Sequence, residues 1–357
     1  ILAARALAEY TALTVAPLHL HMERDVSSSP KNSPTATLHY ARLREFQTLA
    51  GVLLALALAL WAVRGSRHHP LIPFALAAFV LAYLPISNLF SLNATVAEHW
   101  LYLPSAWLLF ATALSLATSS LPIRPILALL TLWFFSLATQ TFLRQAAWLN
   151  QRSLFESTIA NGGDSPRIRM NLANLEASEH HHDLALAHYR NALQRSPHQA
   201  IIWLGYAKLL LQLNLFPQAE AALQEAQKSP WLTPDCLEFQ AALRSRQHHE
   251  DRSDLLLQAL DLTPHRWSIR KRYADYLASQ AKPELALAQL RFALEIAPYR
   301  GSTWRELASL LESLHRPDLA LIAFTEAANR DVHDSDSRQQ IARLTTTPQS
   351  PLPREFY

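Results

Sequence analysis

Cysteine, glycine and, over one long stretch, charge are what this sequence lacks. One cysteine, Cys236, among 357 residues excludes an internal disulfide and any cysteine-rich metal centre. Six glycines, at 51, 65, 162, 163, 205 and 301, leave no pair with the spacing of a phosphate-cradling loop. The net charge is only +3 and the basic residues are scattered, so nucleic acid has no electrostatic footprint here. Residues 1–143 carry 13 charges and residues 144–357 carry 48; between Phe46 and Leu143 there are four, Arg64, Arg67, Glu98 and Arg124. A soluble domain needs polar surface all round, and such a stretch cannot supply it.

The apolar half predicts membrane helices at 46–63, 71–86, 100–120 and 125–143. The first, uncharged between Glu45 and Arg64, would rise about 27 Å at 1.5 Å per residue. Trp61, Tyr83, Trp100, Tyr102 and Trp107 suit interfacial anchoring. Residues 1–16, with Arg5 and Glu9 inside them, read as a partial span or interfacial helix, followed by an exoplasmic loop over 17–45. An opening without methionine reads as part of a longer protein. Four crossings put 17–45 and everything after 143 on one face.

The polar half is periodic. Prolines at 197, 230, 264 and 298 each close an apolar helix ending, and another helix lies upstream of each. Small and large positions line up: Leu172, Ala173, Ala185, Tyr189 and Ala192; then Tyr206, Ala207, Ala219, Leu223 and Ala226. Two later units repeat the pattern, with Tyr273, Ala274, Ala286, Leu290 and Ala293, then Leu307, Ala308, Ala320, Phe324 and Ala327. The third unit departs from it, with Arg252 where the others have alanine. Alanine lets paired helices approach, and each pair leaves an apolar face that only a neighbour can cover. This spacing is the tetratricopeptide repeat signature: about five repeats over 166–335, a helical linker and half repeat over 144–165, and a capping turn and disordered tail over 336–357. The fold class is all-α, a polytopic transmembrane bundle followed by an α-solenoid.

Two polar clusters face the same side. In the loop between the second and third spans, Glu98 is the only charge between Arg67 and Arg124, with His99 and Tyr102 beside it. An ionisable residue at a membrane boundary is costly unless solvated or used. In 17–26, Arg24 could hold a phosphate and Asp25 or Glu23 could act as acid or base, or the triplet is a solvated surface. The histidine runs 180–182 and 248–249 read as turns, and no metal site is assigned.

The stretch Ala97-Glu98-His99-Trp100-Leu101-Tyr102-Leu103-Pro104-Ser105 is similar to the Glu-Arg-x-Leu-Tyr-Leu-Pro-Ser motif of the transmembrane-and-TPR O-mannosyltransferases and their bacterial relatives, of the GT-C glycosyltransferase class. Leu84-Pro85-Ile86-Ser87-Asn88 resembles the Pro-x-Ser-Asn stretch before that motif, and Trp148-Leu149-Asn150 its entry into the repeats. The resemblance implies a polyprenyl-phosphate sugar donor and an exoplasmic site in a membrane such as a bacterial inner membrane. It also implies repeats on that side, binding the acceptor or partner protein on their concave face. Glu98, His99, Tyr102, Arg24 and Asp25 are the resulting candidates around the donor phosphate, with membrane lipid as a further partner. His99 stands where the family has arginine, and the family's catalytic acid lies in an early loop that has no counterpart here. The alternative is a non-enzymatic, membrane-anchored repeat scaffold.

Overall fold

The computed structural model describes residues 1–17, 20–22, 24, 26, 38–90, 96–247 and 252–346. Asp25, Glu23, the 248–249 histidines and the 347–357 tail therefore lie outside the described residues. Those described are all-α, apart from turns and one isolated antiparallel bridge between Arg24 and Val96. The chain divides into two units, Ile1–Ile202 and Trp203–Tyr357.

The first unit holds α1 (Leu2–Val15), α2 (Leu38–Gly65), α3 (Leu71–Tyr83), α4 (Tyr102–Ala117), α5 (Ile123–Arg144), α6 (Gln151–Ala160), α7 (Pro166–Ser178) and α8 (His182–Arg195). Among the described residues three segments, Arg42–Gly65, Glu98–Ala117 and Ile123–Trp148, are long and apolar enough to cross a membrane. The expected segment at 71–86 is the apolar helix Leu71–Ile86; at 16 residues, about 24 Å, it is shorter than these three and ends in a 3₁₀ turn holding Pro85. The expected loop over 17–45 is also shorter than the sequence suggested, because α2 starts at Leu38. On α5 no residue is buried; Leu129, Phe134, Phe135 and Leu143 are about 70% exposed. Such an apolar surface is stable only against lipid or another apolar surface.

Residues 2–15 form one helix, which does not stand alone. α1 packs on α2, burying Ala6, Leu7, Tyr10 and Leu13. Gly51 makes this possible, since a Cβ there would lie 1.8 Å from the carbonyl oxygen of Ala4. The Arg5 side chain is buried and donates to Thr48 Oγ1 (2.8 Å), Glu45 Oε1 (3.0 Å) and the Val26 carbonyl (3.3 Å). Helices α3 and α4 share a core of Ile72, Ala75, Leu76 and Ala111, to which α2 adds Trp61, whose indole N–H donates to Ser115 Oγ at 2.9 Å.

The sequence predicts an unbroken helix from 125 into the linker. Instead a 3₁₀ turn, Gln145–Trp148, ends α5, and Asn150 starts a new helix by accepting the Ser153 N–H in a capping box. Pair α7/α8 buries the aligned Leu172, Ala173, Ala185, Tyr189 and Ala192.

The division falls within α9 (Ala200–Gln212); in the second unit α10 (Phe216–Gln227) packs on α11 (Thr233–Gln247), and the helices pair as α11 with α12 (Ser253–Leu262), α13 (Trp267–Ser279) with α14 (Pro283–Ile296), and α15 (Gly301–Ser313) with α16 (Pro317–Arg330). The sequence predicts a final turn; the structure has a 12-residue helix, α17 (Ser335–Thr346), against α16. Ala219, Ala226, Ala259, Ala286, Ala308, Ala320 and Ala327 are fully buried at the helix contacts. Larger side chains there would hold the paired backbones apart.

The turns inside the pairs share one device. His180, Asn214, Ala281 and His315 have φ of 54–64°, and after each the next N–H bonds the carbonyl five residues back, as Lys282 to Leu277 at 3.0 Å. This is the left-handed helix cap that glycine usually supplies, made here by residues carrying a Cβ.

Candidate functional site

Glu98 lies in the 3₁₀ turn Glu98–Leu101 that opens α4. Its position is fixed by the two residues before it. Val96 and Arg24 exchange both backbone hydrogen bonds (2.9 and 3.2 Å), and the Ala97 N–H donates to the buried Tyr10 hydroxyl (3.3 Å). Tyr10 in turn meets Tyr83 edge to face, with centroids 5.9 Å apart.

Groups from two segments, residues 21–24 and the end of α5, converge on the Glu98 carboxylate. Oε1 accepts the His21 backbone N–H at 2.5 Å and lies 3.6 Å from Arg24 Nη2, while Oε2 lies 3.3 Å from Arg144 Nη2. Arg24 Nη1 donates to Glu9 Oε1 at 2.9 Å, and Glu9 Oε2 accepts from Gln47 Nε2 at 2.9 Å. Gln47 Oε1 accepts from Arg44. The three charged groups at the centre are only 14–22% exposed, so their attractions are weakly screened. Buried charges this close need their partners, since removing one strands another.

The cluster orders the helices. The first turns of α2, the start of α4 and the end of α5 meet at one end of the unit, so α3 must carry the chain back to that end. Beside it, Leu20, Leu137, Gln140, Thr141, Arg144 and Trp148 line a mostly apolar cavity of about 390 Å³. Arg144 Nη1 is buried without a hydrogen-bond partner.

Of the residues singled out from the sequence, the structure brings Glu98 and Arg24 together. His99 is exposed, with its ring on Trp100 (5.7 Å), and Tyr102 is 86% exposed, so neither joins the cluster. Asp25 lies outside the described residues. Sequence reasoning missed Arg144, Glu9 and the His21 N–H. Arg144 had a visible signal as the charge ending the last apolar run; a backbone N–H carries none.

A second charged cluster lies at the turn between α7 and α8. Carboxylates of Glu176 and Glu179 and the His181 ring come close enough for one ion to reach all three. An arginine already fills that role: Arg152 from α6 donates to Glu176 Oε1 and to Glu179 Oε2 (2.5 Å), and His181 Nδ1 lies 2.9 Å from Glu176 Oε2. The Arg152 hydrogen bonds hold the Glu176 carboxyl below the usual carboxylate range against the effect of its burial. This is an ion-pair staple between α6 and the following pair, and a metal ion would have to displace the guanidinium. His180, in the left-handed cap, and His182, in the first turn of α8, complete the histidine run as a turn.

Residues 176–230 match the tetratricopeptide repeat family. Comparison with curated proteins finds no match. Among solved structures, the chain is similar to a tetratricopeptide repeat protein from Parabacteroides merdae, with 16% identity and a TM-score of 0.49, covering 76% of this chain and all of that one. A thermophilic repeat protein of Thermus thermophilus gives 20% identity and a TM-score of 0.45 over 51% of this chain and all of that one. PilW, a type IV pilus biogenesis factor, gives 20% and 0.43 over 51% of this chain and 86% of its own. The segment 176–230 is thus built of tetratricopeptide repeats.

Proposed function

We propose that this chain is a membrane-anchored tetratricopeptide repeat scaffold that recruits protein partners to a membrane face. The observation that carries the reading is the succession of helix pairs with buried alanine contacts, matching that repeat family over 176–230. Stacked pairs of this kind present long, rigid surfaces suited to binding other chains. The anchor rests on three helices of sufficient length and on the largely exposed apolar surface of α5. Since α3 returns the chain to the Glu98 end, the segment leaving α5 emerges on the same face as His21 and Arg24, and we assign that face as exoplasmic. The test places photo-crosslinking residues on α13 and α15 of the full chain in its native membrane. A defined partner, captured with the chain retained in the pellet after alkaline extraction, is expected. Release into the supernatant removes the anchor, and no partner at any position removes the scaffold.

One observation favours a second reading, a lipid-linked sugar transferase. A carboxylate between two arginines, at the mouth of an apolar cavity with an unpartnered guanidinium N–H, suits a polyprenyl-phosphate donor: the cavity for the chain, Arg144 and Arg24 for the phosphate. Glu98 would position both arginines. Sugar transfer from such a donor by the full-length protein should fall at least tenfold in Glu98→Gln; unchanged transfer removes this reading.

A further inference from the structure

The third repeat departs from its neighbours in sequence, and the departure opens a pocket. In the register of the repeats Arg252 corresponds to Ala286 and Ala320, both fully buried four residues into 14-residue helices. An arginine cannot occupy that close contact. α12 instead begins at Ser253, with Arg252 as its N-cap, and runs for 10 residues. Between the end of α11, the start of α12 and the middle of α13 lies a cavity of about 130 Å³.

Its lining is cationic, with Arg246, Arg252 and Arg272 against one carboxylate, Asp275, over a wall that includes Ala241 and Leu256. Arg272 is matched by Glu238, whose Oε1 accepts from Nε at 2.5 Å. Arg246 donates to a neutral acceptor, the Leu211 carbonyl, at 2.6 Å. Arg252 donates to the Ser245 hydroxyl and lies 5.5 Å from the Tyr276 ring centroid. Neither of these two makes a close ion pair with a carboxylate among the described residues; Asp275, within electrostatic reach of Arg252, is the carboxylate opposite them. Two guanidinium groups lining one cavity, with only Asp275 as carboxylate opposite them, leave a net positive lining that attracts a further carboxylate, which they can grip through paired N–H donors. The volume is well below the roughly 300–1,000 Å³ of pockets for whole small molecules, and fits one side chain. The apolar wall suits the methylenes of that side chain.

We infer that this pocket anchors an acidic side chain, glutamate or aspartate, from an extended segment of a partner protein. This rests on the scaffold reading and names the partner's chemistry.

The test measures binding of a hexaglutamate peptide and its hexaglutamine counterpart to the full chain in detergent. Hexaglutamate should bind at least tenfold more tightly, an advantage reduced by added salt. Arg246→Gln and Arg252→Gln should each weaken it about tenfold, as expected for losing a hydrogen bond to a charged group. Asp275→Asn should tighten it several-fold, a gain that misfolding cannot imitate. Equal binding of the two peptides, arginine variants that bind like the parent chain, or weaker binding by Asp275→Asn overturns the inference. So does displacement by millimolar inorganic phosphate, which would reassign the pocket to phosphate groups. In the crosslinking experiment, a partner lost from both arginine variants at unchanged melting temperature supports the pocket. A partner retained by both overturns the pocket and leaves the scaffold standing, whereas no partner from the parent chain overturns the scaffold itself.

Discussion

Single residues in the repeats carry charges whose environment sets how the fold answers to pH. The Glu176 carboxyl is held low by the Arg152 hydrogen bonds. At Asp164 burial pushes upward, and the Arg169 and Arg195 guanidinium groups, at 2.6 and 2.8 Å, outweigh it. A carboxyl with a lowered pKa in the folded chain stabilises it fully above the unfolded value, about 4.3 for glutamate, and loses that stabilisation as pH falls through the folded value. The melting temperature should therefore fall as pH drops below about 4.3. Glu176→Gln should be less stable at pH 7 and show a shallower acid dependence, as calorimetry in detergent would reveal. Cys236 behaves in the opposite sense: burial pushes its thiol up to about 11. It should resist a thiol-reactive dye at pH 8 in the folded chain and react fully in denaturant; rapid labelling of the native protein would contradict this burial. Ala281 holds a left-handed backbone that costs a residue with a Cβ roughly 1–2 kcal/mol. Ala281→Gly should raise stability by up to about 1 kcal/mol in a denaturant titration.

At the scale of elements, helix contacts depend on the smallest side chains. Gly51 brings α1 onto α2 at backbone contact, and no Cβ fits there. Gly51→Leu should cost about 1–3 kcal/mol and release α1, exposing its peptide bonds to limited proteolysis. A thermal and proteolytic profile like the parent's would show that α1 is not held at this crossing. The αα-turns show why glycine scarcity did not prevent tight repeats. The backbone hydrogen bonds of the left-handed cap are satisfied whatever the side chain, so asparagine, histidine and alanine serve at some energetic cost.

At the scale of the whole molecule, the uneven charge underlies the proposed membrane anchor. α5 buries no residue and leaves most of its apolar side chains exposed, which the proposed anchor would cover with lipid. A charge at its centre should then oppose insertion: Leu132→Arg should cost about 2.5–3.5 kcal/mol in a membrane-insertion assay. Unchanged insertion would show that α5 does not sit in lipid.

How much was legible follows from the kind of signal each feature leaves. The helix pairs were readable residue by residue, because Ala185, Ala219, Ala286 and Ala320 recur at a fixed spacing and burial enforces that spacing. Helix ends were less so: α2 starts eight residues before the apolar run, and Glu45, Gln47 and Thr48 bond polar groups of α1. The break at Asn150 hinges on one capping box within an otherwise helical run. At the candidate site, Glu98 and Arg24 stood out as rare charges, whereas Arg144, Glu9 and the His21 N–H lie 46, 89 and 77 positions from Glu98 in the chain.

The sequence alone determined the periodic helices, the apolar stretches and which charges are scarce, because hydrophobic burial and helical geometry act over neighbouring residues. Tertiary structure alone decided which scarce charges meet. A carboxylate at the start of α4, an arginine at the end of α5 and one in a loop become partners only when packing brings distant segments to one end. It likewise decided that Arg252 opens a pocket, since the consequence of a large side chain depends on the helix it would otherwise touch.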